Sequence, residues 1–172
     1  MGADSLNSSQ EMPPTSSTAQ LPCLFPGVAF ITGAGSGIGR QTAVSFAIEG
    51  CTKIAIADRD PLALDETKLL ISAASPTAEV LILPMDVRLD KDVVLSVDAV
   101  IERFKRIDYS IHCAGIFGPQ ATSVDLEPHE FDTVMAVNCR GVWMCSREVT
   151  KQMKLQEPLP THDGRPGSRG SI

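Results

Sequence analysis

No apolar run in this chain approaches the roughly 18 residues that a membrane-spanning helix requires, so the sequence offers no transmembrane segment. A basic excess is missing too: 15 Lys and Arg stand against 21 Asp and Glu, for a net charge of −6 and an isoelectric point near 5.0. That balance argues against nucleic acid, whose binding rests on clustered positive charge, and against a membrane surface. The first twenty residues lack the basic start and apolar core of a secretory signal. Cysteines at 23, 51, 113, 139 and 145 are odd in number and form no C-x-x-C pair, which speaks against a disulfide framework. Reduced, mostly buried thiols and a cytoplasmic location are the expectation. Aromatic residues are scarce as well, with one Trp and one Tyr.

What is present suits one globular domain: 43% hydrophobic residues and a mean hydropathy of +0.06 over 172 residues can bury a core. Residues 1–23, rich in Ser, Thr, Pro, Gln and Asn, cannot offset the entropy of ordering and read as a disordered tail. Residues 24–154 carry the folded pattern, and 155–172 read as a Pro- and Gly-rich loop followed by the opening of a strand at Ser171-Ile172.

Within that domain, strand and helix signals alternate. Val28-Ala-Phe-Ile-Thr32 is a short apolar run with the pattern of a strand buried on both faces. A helix over 38–49 follows, with Ile38, Ala43, Val44, Ala47 and Ile48 near one face and Gly50 as its left-handed stop. Lys53 to Ala57 is a second strand; Asp60 caps a helix with Pro61 at its first position, running to about Ala74. Glu79 to Met85 is a third strand, Asp90 caps the next helix, and Asp108 to His112 is a fourth strand. A long helix from about Glu130 to Met153 places Phe131, Val134, Asn138, Gly141, Val142, Cys145 and Val149 on one stripe. Strands joined by helical crossovers predict an α/β fold with a doubly wound parallel sheet of about four strands plus the start of a fifth.

The chemistry concentrates in Thr32-Gly-Ala-Gly-Ser-Gly-Ile-Gly39. Its glycines do not match the general dinucleotide fingerprint, because Ile38 stands where that pattern needs a small residue. Its context carries more weight: a glycine turn between a buried strand and a helix lets backbone N–H groups and the positive helix end face a pyrophosphate. A merely tight turn is the alternative. The run resembles the Thr-Gly-x-x-x-Gly-x-Gly motif of the short-chain dehydrogenase/reductase family, and later segments resemble that family in the same order over about residues 28–153. The resemblance implies that Gly33, Ser36, Gly37, Ile38 and Gly39 line the phosphates and ribose of a nicotinamide dinucleotide.

Asp58 ends the second strand where a dinucleotide-binding unit places an acid on the adenosine ribose. A 2′-phosphate there would meet a like charge, at a cost of about 4 kcal/mol for roughly 4 Å and an effective dielectric of about 20, which favours NAD over NADP. Arg59, next door, offers a phosphate partner and keeps NADP open, and Asp58 and Asp60 also read as ordinary turn and cap acids. By resemblance, Asp86 and Val87 sit beside the adenine ring. His112-Cys-Ala-Gly115 stands where the family usually has Asn-Asn-Ala-Gly, so Cys113, Ala114 and Gly115 line the cofactor. A metal at His112 and Cys113 lacks further ligands nearby in sequence, and a packed strand end is the preferred reading. Val137-Asn138 with Gly141 resembles the family's helix asparagine, whose backbone carbonyl holds a water in a proton relay; a core or helix-kink role for Asn138 is the alternative.

Family members transfer hydride with a Tyr-x-x-x-Lys pair and an upstream Ser, the lysine lowering the tyrosine's pKa. Here Tyr109 lies in the fourth strand with Cys113 four residues on, and Ser168 and Ser171 fall too early, so Asn138 alone of the usual catalytic group is present. The reading is of a family member truncated before its catalytic residues, an NAD(P)-dependent oxidoreductase for an alcohol or ketone that is inactive as this chain. A non-catalytic NAD(H)-binding or interaction protein is the alternative, and a methyltransferase-like Rossmann domain a third. Full-length relatives oligomerise, which leaves this chain's own assembly open. The fourth strand is expected to be an unpaired apolar edge and the isolated chain marginally stable.

Overall fold

The computed structural model describes residues 23–159 and 167–172. Of the tail expected over residues 1–23, all but Cys23, whose thiol donates to Gly50 O at 3.1 Å, lies outside the described residues, as does the middle of the 155–172 loop. Four parallel strands form the centre: β1 (Val28–Thr32), β2 (Lys53–Asp58), β3 (Glu79–Pro84) and β4 (Tyr109–His112), in the spatial order β3-β2-β1-β4. The crossovers are α1 (Gly37–Ile48), α2 (Pro61–Ala74) and α3 (Asp90–Phe104). After β4 come α4 (Pro128–Met135), a π-helical turn (Ala136–Gly141) and α5 (Val142–Met153). This is the doubly wound, Rossmann-like arrangement.

β1 is buried at all five positions because helices cover both faces of the sheet. Its alternate side chains go opposite ways. Val28 and Phe30 join Val93, Val97 and Val100 of α3 and Cys145, Val149 and Met153 of α5. Ala29 and Ile31 join Ala43 and Ala47 of α1 and Leu64 and Ile71 of α2. Phe30 opposes Ala55 on one side and Ser110 on the other, and Thr32 opposes Ala57 and His112. The order reverses after β3, when the chain passes to the far side of β1. That opens a crevice at the C-terminal ends of β1 and β4, the place where such sheets hold ligands.

Several expectations change. Asp90 is not the cap of α3 but its first residue; Leu89 occupies the cap without a side-chain bond, and Asp90 and Asp92 act instead as first-turn acids that favour the helix dipole. On α1 the buried stripe is Gly39, Ala43 and Ala47, whereas Ile38 is 79% exposed and Ile48 61%. Only small side chains fit where this helix lies against the sheet, so the two isoleucines fall on its flanks. The long helix is interrupted by the π-helical turn, whose extra residue rotates the stripe: Val137, Gly141, Met144, Cys145, Glu148, Val149 and Met153 are buried and Phe131 is 54% exposed. Cys51 and Cys145 are buried, but Cys23 and Cys139 are exposed, against the expectation of mostly buried thiols.

β4 is not a bare edge either. Ser171 bridges Tyr109 in parallel, donating its N–H to Asp108 O at 2.8 Å and accepting Ser110 N–H at 2.9 Å, as the opening of a fifth strand would. Near the start of β4, Asp108 is buried beside Arg106 and accepts Val28 N–H at 2.9 Å, pinning β4 to β1 at the end opposite the crevice.

Candidate cofactor-binding site

The β1–β4 crevice is shaped first by backbone. Past the ends of the two strands, Cys113 N–H donates to Thr32 O at 3.1 Å and Ala114 N–H to Thr32 Oγ1 at 3.3 Å. Gly33 turns away with φ +66°, and a β-carbon there would lie 2.5 Å from Ala114 N, so this close approach needs glycine. The turn of 33–39 and the turn of 113–115 thus form two adjoining walls.

From Gly33 the chain enters α1. Ala34, Gly35 and Gly39 are buried, whereas Ser36, Gly37 and Ile38 are exposed along the outer rim. Ser36 is the N-cap in extended backbone and makes no side-chain capping bond. The next helix differs: Asp60 caps α2 by accepting Leu62 and Ala63 N–H at 3.0 and 3.2 Å. On α1 the first intrahelical bond is Arg40 N–H to Ser36 O at 3.1 Å, which leaves the N–H groups of Gly37, Ile38 and Gly39 ahead of the ladder. A β-carbon on Gly37, at φ +50°, would meet nothing within 4 Å. The positive end of α1 therefore opens onto free space at the switch point, an arrangement fitted to a doubly charged pyrophosphate.

The remaining candidates are distributed around this turn. Asp58, at the end of β2, accepts Gly35 N–H at 3.0 Å through Oδ2 and Asp60 N–H at 3.1 Å through Oδ1, so its carboxylate is held against the glycine turn. Arg59 is exposed beside it. Asp86 is committed to Arg88, which reaches it with Nε at 3.0 Å and Nη2 at 2.5 Å, and Arg88's hydrogen bonds hold its carboxyl below the usual range. Val87 is buried, and a β-carbon on Gly141 would lie 2.7 Å from its Cγ2, so its side chain packs on the π-helical turn.

Asn138 stands in that turn. Its Oδ1 accepts Ile116 N–H and its Nδ2 donates to Ile116 O, both at 2.9 Å, and its amide also lies close to Gly115. Cys113 is half-buried, with its thiol pushed up by burial. His112 ends β4; its Nε2 lies 3.4 Å from Ser110 Oγ, its buried Nδ1 has no partner, and burial pushes its pKa down to about 4. Tyr109 is elsewhere: its hydroxyl donates to Pro26 O at 3.2 Å, beyond the opposite end of the sheet, and burial raises its pKa.

Sequence reasoning placed Thr32 in the motif without a role and missed Arg40 and Thr67. Thr32 joins the two walls. Arg40 and Thr67 meet behind the turn, with Arg40 Nε donating to Thr67 Oγ1 at 3.1 Å. The signals were an arginine directly after the last glycine of the motif and a threonine facing inward on α2, where it is fully buried.

Comparison with known proteins agrees with this geometry. Residues 27–164 match a family model described as short chain dehydrogenase. Levodione reductase of Leifsonia aquatica is 40% identical over 129 residues, covering 75% of this chain and 48% of that protein. A crystal structure of levodione reductase superimposes with a TM-score of 0.74, covering 76% of this chain and 50% of the other. The 3-ketoacyl-(acyl-carrier-protein) reductase of Brucella melitensis complexed with NADH is 33% identical with a TM-score of 0.69, over 77% of this chain and 52% of that one. The chain spans about half the length of these relatives.

Proposed function

The chain belongs to the short-chain dehydrogenase/reductase family of oxidoreductases, and from that premise we propose that its β1–β4 crevice holds NAD(H) for the oxidation or reduction of an alcohol or ketone. The observation that carries the reading is the first turn of α1 at the switch point, which has no side-chain cap and where Ser36, Gly37 and Ile38 are exposed. In this assignment Ser36, Gly37, Ile38 and Gly39 receive the pyrophosphate. The turn of Cys113, Ala114 and Gly115 flanks the nicotinamide side. Backbone at Asp86 and Val87 borders the adenine, since the Asp86 carboxylate is already engaged by Arg88.

Asp58 is assigned to the adenosine ribose. Two backbone N–H groups fix its carboxylate, which suits a diol and repels a 2′-phosphate. NAD is therefore the proposed cofactor over NADP, Arg59 notwithstanding. When bound, the nicotinamide ring supplies a hydride or accepts one. Asn138 contributes through its backbone carbonyl to a proton relay, its side chain being spent on Ile116. Tyr109 takes no part, because its hydroxyl lies at the wrong end of β4. What these residues perform is cofactor binding, and the test is direct: titration of the chain with NADH, followed by nicotinamide fluorescence, is expected to saturate. A linear, unsaturable response into the millimolar range would overturn the assignment.

A further inference from the structure

We propose that Arg40 is the positioning residue that aims the pyrophosphate donors of the glycine turn. The inference rests on the cofactor reading above and concerns what gives a turn with glycines at 33, 35, 37 and 39 a single conformation.

Arg40 reaches from α1 to α2 behind the turn. Its Nη2 donates to Gly35 O in a short bond, to Glu66 Oε2 at 2.9 Å and to Ala63 O at 3.4 Å, and its Nε donates to Thr67 Oγ1 at 3.1 Å. The Thr67 hydroxyl in turn donates to Ala34 O at 2.8 Å. Two consecutive carbonyls of the turn, Ala34 and Gly35, are thus drawn toward α2 by one polarised chain of donors.

The consequence follows from peptide planarity. In a trans peptide the N–H points opposite to the C=O. Drawing Gly35 O toward Arg40 therefore sends Ser36 N–H away from α2, onto the exposed rim where Ser36, Gly37 and Ile38 lie. Asp58 Oδ2 accepts the N–H of Gly35 at 3.0 Å, so acid and guanidinium hold that residue from either side. Without Arg40 the carbonyl of the 35–36 peptide loses the donor that holds it, and Gly35, having no β-carbon, lets that peptide rotate and turn the Ser36 N–H off the rim. Glu66 matters less: its side chain is 68% exposed, and an ion pair in that position contributes little.

The experiment compares binding of NADH, ADP-ribose and adenosine to the full chain and to Arg40→Ala, Arg40→Lys and Glu66→Gln, alongside thermal unfolding without ligand. Arg40→Ala is expected to weaken NADH and ADP-ribose by about tenfold, the scale of a lost charge-assisted hydrogen bond. Adenosine, which has no phosphate, should change by less than about twofold, as should all ligands with Glu66→Gln. Arg40→Lys keeps the charge but not the fork and should fall between. That variant decides the matter if Arg40→Ala does not fold. Equal weakening of adenosine and ADP-ribose would make Arg40 a merely structural residue and overturn the proposal, as would unchanged NADH affinity. If the unaltered chain fails to bind NADH, the cofactor reading itself falls and takes this inference with it. Saturable binding that ignores Arg40 removes the inference alone.

Discussion

Asn138 and Ile116 exchange two hydrogen bonds of 2.9 Å, side-chain amide to backbone peptide, in the manner of a strand pair. The π-helical turn places Asn138 there, so a helix defect and a loop conformation are one structural unit. Asn138→Ala is expected to cost about 1 to 2 kcal/mol, two net hydrogen bonds at a partly open site. Amide exchange at Ile116 should accelerate more than at the buried β1 positions. Unchanged exchange there would show that the loop is held by other contacts.

How legible this was depended on the range of the interactions. β1 was read to both ends because Gly27 and Gly33 bracket an apolar β-branched run, and α2 because Asp60 and Pro61 announce a helix start within two residues. The π-helical turn left no comparable mark: one extra residue per turn shifts a stripe without altering composition. Asp90 misled for a related reason, since an acid favours a helix start both at the cap and just inside it. Arg40 and Thr67 lie 27 residues apart, and nothing local to either reveals the other.

His112 makes the fold acid-sensitive. Burial holds its folded pKa near 4 against an ordinary 6.5, so between these values the unfolded chain binds more protons than the folded one. Stability contributed by the neutral ring is complete above 6.5 and is lost as pH falls toward 4, with a slope of at most about 1.4 kcal/mol per unit, lessened by partial solvent access. Urea unfolding of the chain and of His112→Asn across this range should give converging stabilities at high pH once a constant offset is removed, and a flatter curve for the variant. Parallel curves would refute the assignment.

Asp58 should set cofactor preference. Its replacement by Ala removes the like charge facing a 2′-phosphate, and the affinity ratio of NADPH to NADH is expected to rise about tenfold or more. The same change leaves the buried Gly35 N–H without its acceptor, at a cost of about 1 to 3 kcal/mol of stability that lowers the thermal midpoint. A lowered midpoint with an unaltered cofactor ratio would confine Asp58 to a structural role.

Four of the five thiols should separate by burial. Burial pushes Cys51 up to about 11 and Cys145 up to about 12, so neither is a thiolate near neutrality, whereas Cys23 and Cys139 are exposed. Brief treatment with iodoacetamide followed by peptide mass spectrometry should find label on Cys23 and Cys139 first, and on Cys51 and Cys145 only after denaturation. Early labelling of Cys145 would mean that α5 does not stay packed on the sheet.

Gly141 and Val87 should prove energetically coupled. A β-carbon on Gly141 would lie 2.7 Å from Val87 Cγ2 and 3.0 Å from its Cβ, so Gly141→Ala forces either the π-helical turn or the segment after β3 to move. Overpacking of this kind costs about 1 to 3 kcal/mol. Val87→Ala alone loses a buried side chain and is destabilising too. In the double variant the new methyl occupies room that Val87 vacates, and the losses should sum to less than the two singles by at least about 0.5 kcal/mol. Strict additivity would mean that the turn yields elsewhere. The coupling matters for the site because Asn138 lies in the same π-helical turn: whatever shifts Gly141 shifts the amide that holds Ile116.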